Sequence, residues 1–332
     1  MVSDRAPDRE GDAARRDPLK RHLASVIANY RAEFGGGGDE AVRRDLAELL
    51  GVGGASPAVP PEPGIHESAE EVLAHFPKVV ARCKKMVDLF RLVLKVAPTD
   101  ATVLIQGESG TGKELIARSI HDLSHRRQGP YVAENCAALP ETLLESELFG
   151  HSKGAFTGAD RTTKGRFQMA NRGTLFLDEV GDMSPGLQKK LLRALQEGEL
   201  RPVGSSSPIK IDVRFLSASN KDLVDLTRKG LFREDLYYRL SPIRIELPPL
   251  RERGDDLLLL LDRITVDAAR KCNRPEPPKL APETLAAMGR YRWPGNVREL
   301  QNEVQRMIAL ADPGRPIEPR DLSPEIRAAG GA

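Results

Sequence analysis

Gly107-Glu108-Ser109-Gly110-Thr111-Gly112-Lys113-Glu114 is the stretch on which the reading of this chain turns. Thr102 to Gln106 (TVLIQ), just before it, is a short β-branched run with the character of a buried strand. Leu115 to Ile120, just after it, continues at helical spacing. Glycines let the intervening backbone curl so that successive N–H groups converge on one anion. The helix N-terminus adds partial positive charge at the same place, and Lys113 extends toward outer phosphates. A strand, a phosphate-binding loop and a helix are therefore expected here, with a nucleoside triphosphate as ligand. One detail departs from the usual loop: Glu114 stands where a Ser or Thr normally follows the lysine to ligate Mg²⁺.

The rest of the chain must be consistent with such a site. Its 332 residues suit one large or two moderate domains, and 40% hydrophobic content supplies a core. A net charge of +2 does not demand a nucleic-acid or membrane partner. Apolar runs such as Leu257 to Leu261 fall far short of the roughly 20 residues that span a bilayer. The N-terminus is polar and charged, unlike a secretory signal, so a cytoplasmic location is expected. Cys83, Cys136 and Cys272 have no metal-binding spacing and read as incidental thiols.

Composition divides the chain. Residues 1–66 are polar and then Gly/Pro-rich. From 67 to 248, strand-like runs alternate with helical patterns, the mark of an α/β fold with a parallel sheet. Residues 249–322 are helical and are expected to form a lid, and 323–332 read as a polar tail. Within the first region, Asp17-Pro18 suits a helix start, and Leu19, Leu23, Val26, Ile27, Tyr30 and Phe34 fall on one face. Val42, Leu46, Leu49 and Leu50 make a second stripe. Two such helices cannot bury a stable core alone. They are expected to dock on the main domain, dimerise or bind a regulator, a weakly structured leader being the alternative, ahead of a Pro/Gly linker over 53–64.

A second motif completes a nucleotide site. Leu175-Phe176-Leu177-Asp178-Glu179 is an apolar strand ending in two carboxylates, and ligands of parallel sheets sit at the carboxyl ends of strands. Asp178 suits Mg²⁺, directly or through water, and Glu179 suits orientation of an attacking water. A further strand, Val213 to Ser217, ends near Asn220, whose amide either senses the γ-phosphate or makes an Asx-turn. Phe232 to Leu240 places Arg233 and Arg239 on a helix and its exit. Arginines so placed either reach a neighbour's γ-phosphate or make surface salt bridges. Arg298, in Trp293 to Leu300, opens a helix within reach of the nucleotide from a lid.

The motif that specifies a family is Gly154-Ala155-Phe156-Thr157-Gly158-Ala159, preceded by Glu147-Leu148-Phe149-Gly150-His151. With it, from about residue 75 to 310, the chain resembles the AAA+ domain of the bacterial enhancer-binding proteins, the activators of sigma-54 RNA polymerase. The phosphate loop, Asn135-Cys136-Ala137-Ala138-Leu139, the GAFTGA hexapeptide, Gly173 to Glu179, FREDLYYRL and WPGNVREL occur in family order. Glu114 is the family's own residue at its position. The resemblance implies an ATPase using ATP and Mg²⁺. Gly107, Glu108, Ser109, Gly110, Thr111, Gly112, Lys113 and Glu114 would hold the phosphates. Asp178 would serve the metal and Glu179 the water. Asn135 would hold Glu179 in one nucleotide state and release it in another. Asn220 and Arg298 would be the two sensors, and Arg233 and Arg239 trans arginines in a ring, usually a hexamer. The loop Gly154, Ala155, Phe156, Thr157, Gly158, Ala159 would touch sigma-54, with Glu197 to Arg214 as a second loop beside it. An exposed Phe on a Gly-flanked tip is a reasonable partner contact, a buried hairpin Phe being the structural alternative.

Some positions depart from the family pattern. Arg172 replaces a usual second Gly before Thr174, and Glu134 puts a carboxylate before Asn135 where a small or apolar residue is usual. Family members usually carry a C-terminal helix-turn-helix, for which no room is seen before Ala332. The expectation is either a truncated piece or an activator without its own enhancer recognition, touching promoter DNA only indirectly. Two rivals accompany the main reading: a AAA+ protein acting on another client, and a sigma-54-binding regulator without turnover.

Overall fold

The computed structural model describes residues 68–330 apart from Thr157, Pro275 and Pro313. The helices expected within 17–50, the linker and Thr157 of the hexapeptide lie outside the described residues. The described elements belong to one unit, Glu67–Ala332.

In chain order the helices and strands are α1 (Ala69–Ala74), α2 (Lys84–Val96), β1 (Val103–Gln106), α3 (Lys113–Asp122), β2 (Tyr131–Asn135), α4 (Glu141–Phe149), α5 (Arg166–Met169), β3 (Thr174–Asp178), α6 (Pro185–Glu197), β4 (Glu199–Leu200), β5 (Ile209–Lys210), β6 (Arg214–Ser219), α7 (Leu223–Arg228), α8 (Glu234–Leu240), β7 (Ile243–Glu246), α9 (Asp256–Lys271), α10 (Pro282–Arg290), α11 (Asn296–Leu310) and α12 (Pro324–Gly330). Short 3₁₀ turns follow β3 and β7 and precede α12.

Five strands form a parallel sheet in the order β2-β3-β6-β1-β7. Alternation along each strand divides the core into two layers. Leu104, Leu175 and Leu177 face one layer with Leu148, Phe167 and Leu191. Val103, Ile105, Phe176 and Leu216 face the other with Phe90, Val93 and Ile120. Burial on both faces explains why these strands are unbroken apolar runs rather than alternating ones. Local signals set the helix ends. Ser68 and Glu71 form a reciprocal capping box on α1. On α6, Ser184 accepts from Leu187 N–H, Pro185 holds the first turn and Gly198 ends the helix at φ 63°. The buried Arg214 caps the C-terminal end of α2, donating to Ala97 O at 2.6 Å and Val96 O at 3.0 Å.

Helices α9 to α12 enclose a third core around Trp293, Met288, Val304 and Met307. Within the segment expected as a polar tail, the described residues form a helix instead: Pro324 starts α12, and Ile326 is buried in this core. Two further expectations shift by a residue. The third strand stops at Asp178, leaving Glu179 in the left-handed region at φ 54°. Helix α8 starts after Arg233 and contains Arg239 in its last turn, so the arginines occupy entry and final turn rather than helix and exit.

Among the described residues, no helix is long and apolar enough to cross a membrane.

Candidate active site

The site lies where β1, β3 and β6 end, as the topology of a parallel sheet dictates. The loop from β1 runs straight into α3, whose N-cap is Gly112 at φ 103°. Space around Gly112 is open, so only its backbone handedness demands glycine. Gly110 is needed for closeness instead: a Cβ there would lie 2.2 Å from Gly295 O in the lid.

Lys113 folds back over this loop. Its Nζ donates to Gly107 O at 3.0 Å and Glu108 O at 3.4 Å, and lies 3.4 Å from Glu179 Oε1. Glu179 Oε2 accepts from Asn220 N–H at 2.9 Å. A non-glycine residue at positive φ is held there by its surroundings, and these two contacts fix where the carboxylate points. Asp178 Oδ1 accepts from Glu179 N–H at 3.0 Å. Burial, and then the neighbouring Glu179 charge, push the Asp178 carboxyl above its ordinary pKa, while Lys113 partly offsets both.

A cavity of about 540 Å³ gathers most of the expected residues: Ser109, Gly110, Gly112, Lys113, Glu114, Asn135, Asp178, Glu179 and Arg298. Asn135 reaches this cavity without bonding Glu179; its Oδ1 accepts from Ala137 N–H at 2.8 Å. Asn220 contributes its backbone N–H to Glu179, and the turn at that strand end is closed by Ser219 Oγ, which accepts from Lys221 N–H at 3.0 Å. Gly107, Glu108 and Thr111, the last of which lines an adjoining cavity, do not line this one. Arg233 and Arg239 do not line it. Arg233 pairs with the exposed Asp235 at 2.7 Å, and Arg239 donates to Leu195 O at 3.1 Å.

Sequence reasoning missed two sets of residues. A second cavity of about 290 Å³ shares Gly112, Leu115, Val297 and Gln301 with the first, and its walls include Val79, Val80, Leu260 and Ile264. A polar end beside an apolar slot suits a nucleotide, phosphates in one and a flat base in the other. In the sequence these residues looked like ordinary core positions. The second set clamps the lid to the phosphate loop. Fully buried Asn296 donates through Nδ2 to Glu108 Oε2 at 3.1 Å and Ser109 O at 3.0 Å, and accepts Leu250 N–H at 2.8 Å. Arg251 grips Glu108 with both terminal nitrogens at 2.8 and 2.6 Å. Arg251, then Asn296, pull the Glu108 carboxyl down to about 2. Arg253 donates to Thr111 O at 2.8 Å. The one available signal was the WPGNVREL motif itself, of which only Arg298 had been singled out.

Away from the cavity, Gly154 at φ 80°, Phe156 and Gly158 at φ 95° are exposed, while Ala159 is buried. Phe156 is 44% exposed, so it is not a buried hairpin residue, and it rests edge-on against His151 at 5.0 Å. At the base, His151 bridges both Thr163 and Val203, and Ser152 N–H donates to Val203 O at 2.9 Å. The second loop, with its small β4–β5 hairpin, thus shares its footing with the first.

The family model described as "Sigma-54 interaction domain" matches residues 79–246, and that of "AAA+ ATPase lid domain" matches 251–331. DNA-binding transcriptional regulator NtrC of Bradyrhizobium sp. (strain RP501 Parasponia) is 49% identical over 266 residues, which is 80% of this chain and 55% of the relative. Transcriptional regulatory protein ZraR of Salmonella typhimurium is 50% identical over 243 residues, 73% of this chain and 55% of the relative. The chain spans about half the length of these curated relatives. A crystal structure of NtrX from Brucella abortus in complex with ATP superposes with a TM-score of 0.70 at 35% identity, covering 75% of this chain and 55% of that one. With the cavity at the strand ends, the lid and the hexapeptide in one unit, the chain belongs to the sigma-54 interaction domain family of AAA+ transcriptional regulators.

Proposed function

We propose that the chain is an ATPase that uses hydrolysis to remodel the closed complex of sigma-54 RNA polymerase into an open one. The observation that carries this reading is the convergence of Lys113, Asp178, Glu179 and Arg298 on one cavity, with an exposed Phe156 tip elsewhere on the same unit. In this reading residues 67–248 form the nucleotide-binding subdomain, 249–322 with α12 the lid, and 1–66 a regulatory segment.

The reaction is in-line attack of water on the γ-phosphate of ATP. Lys113 leaves its loop carbonyls for the outer phosphates, where its charge has stronger partners. Release of Lys113 leaves Glu179 held by the Asn220 N–H, free to accept a hydrogen bond from the attacking water. Asn135, on the same cavity, offers Glu179 an alternative partner and so couples occupancy to the strand it ends. Asp178, a half-buried carboxylate with little local compensation, fits a divalent cation. Mg²⁺ bound there would neutralise charge on the phosphates. Arg298 completes the site from the lid. Arg233 and Arg239, which do not line their own cavity, serve the neighbouring subunit of a ring, a hexamer. The Gly154 to Ala159 tip, Thr157 included, meets sigma-54, and promoter DNA is engaged through the polymerase.

The test measures phosphate release and open-complex formation together, with purified chain, ATP and sigma-54 holoenzyme on a template lacking upstream sites. Opening that requires ATP and is lost in Thr157→Ala, with hydrolysis retained, supports the assignment. Hydrolysis without opening assigns the motor to another client, and binding without hydrolysis makes the chain a regulator rather than an enzyme.

A further inference from the structure

Glu134 does not enter the nucleotide cavity. Successive side chains of a strand leave on opposite faces, and Asn135 takes the cavity side. On the other side Arg166 Nε donates to Glu134 Oε2 at 2.6 Å. The same guanidinium reaches Glu147 Oε2 through Nη2 at 3.1 Å. Glu147 lies on α4, the helix before the hexapeptide, and Arg166 opens α5, the helix after it. One planar cation therefore joins the end of β2 to both stems of the loop.

The two stems have no slack between them. A Cβ on Gly165 would lie 2.3 Å from Gly150 N, so the backbones entering and leaving the loop are in direct contact. The two carboxylates are unequal. The Glu134 side chain is 10% exposed, whereas that of Glu147 is 48% exposed and screened by water. The short, shielded half of the bridge is the half made by Glu134. Glu134 is one peptide from Asn135, which is in register with Asp178 on β3. A small or apolar residue at 134 would leave Arg166 with its exposed partner alone.

We propose that Glu134 is a positioning residue: through Arg166 it locks the stems of the 150–165 loop to the end of β2, so that displacement of that strand end by nucleotide is passed to the tip. This rests on the proposed function, and takes the hexapeptide loop that meets sigma-54 to move with the nucleotide state that Asn135 and Glu179 sense. The physical advantage is stiffness. A fork of nitrogens shared between two carboxylates resists rotation as well as translation, which a single flexible contact does not.

The test uses the full chain, with Glu134→Gln, Arg166→Gln and the double variant. Trypsin cleavage at the exposed Lys153, Arg161 and Lys164 is followed with ADP and with ADP–beryllium fluoride, beside steady-state ATP hydrolysis. In the parent, the two nucleotide states are expected to differ in loop cleavage by about threefold or more. In Glu134→Gln that ratio falls toward one while hydrolysis stays within about twofold, and Arg166→Gln adds little further to it, as a shared pathway requires. An unchanged ratio in a Glu134→Gln protein that hydrolyses ATP normally overturns the proposal and leaves the loop reading standing. A parent whose loop ignores nucleotide removes both. Parallel loss of hydrolysis and ratio also overturns it, because Glu134 would then act on the chemistry. If Glu134→Gln unfolds, Glu134→Asp, which keeps the charge on a shorter arm, is expected to give an intermediate ratio, and a parental ratio there counts against the strut.

Discussion

Asn296 Nδ2 and Glu108 Oε2 meet at 3.1 Å across 188 positions of sequence, and this contact makes the first residue of a lid helix part of the phosphate loop. Arg251 grips the same carboxylate from the other side. Lid and loop are thus joined through one carboxylate.

Asn296→Ala is expected to be costly for two reasons. It leaves the buried Leu250 N–H without its acceptor, about 1–3 kcal/mol, and it puts alanine at φ 53°, about 1 kcal/mol more. A total near 2–4 kcal/mol should appear in urea unfolding followed by the fluorescence of Trp293, the single, buried tryptophan. Asn296→Gly recovers only the backbone part. A loss under 1 kcal/mol for the alanine variant would show that the clamp is not structural.

The Glu108–Arg251 pair is about 40% exposed at each end, so solvent screening keeps its worth small. Its sign with pH follows from the lowered pKa. The stabilisation is fully present above the ordinary value of 4.5 and is lost as pH falls through about 2. Parent and Glu108→Gln should therefore differ in thermal midpoint at pH 7 and converge near pH 2. A constant offset at all pH values would assign the effect to packing.

Asp178 behaves in the opposite sense. Its pKa is raised, so the folded protein binds the proton more readily than the unfolded chain does, and acid neutralises a charge that costs stability. A metal needs the carboxylate, so Mg²⁺-dependent ATP binding should weaken as pH falls through that raised value, earlier than an ordinary aspartate would dictate. Burial is the larger cause and Glu179 the next. In Glu179→Gln the decline should shift to lower pH. Binding titrations of both proteins between pH 4 and 8 decide it, and superimposable profiles would separate the two carboxylates.

Arg172 sits at φ 62°, a conformation that costs a side-chain-bearing residue roughly 1–2 kcal/mol. Its exposed side chain replaces the glycine usual in the family. Arg172→Gly should raise stability by up to about 1 kcal/mol after the entropy of glycine in the unfolded chain is subtracted. A lowered midpoint would mean that the guanidinium makes a contact worth more than the strain.

Motifs that are local in sequence were legible, and contacts that are local only in space were not. The curl of Gly107 to Lys113 and the carboxylates of Asp178 and Glu179 announce themselves by residue type, because phosphate and metal chemistry demand those groups. The alternating α/β pattern gave the parallel sheet because both of its faces are buried. Val79, Val80 and Ile264 gave no signal: an apolar wall for a base and an apolar core position have the same composition. Asn296 and Arg251 were hidden because their partner, Glu108, lies in another part of the chain. The start of the helix was read one residue too early, at Arg233, since Phe232-Arg233-Glu234 shows no capping side chain that would mark where it begins.

The base of the hexapeptide loop has a final consequence. His151 fastens two loops at one point, through Thr163 and Val203. A Cβ on Gly154 or Gly158 meets nothing within 4 Å, but one on Gly204 would lie 2.7 Å from Ala155 Cβ. The arrangement is that of a tool bit in a fixed chuck. The working ends are interchangeable without retooling the engine, but only as a matched pair, because the second tip is cut to fit the first.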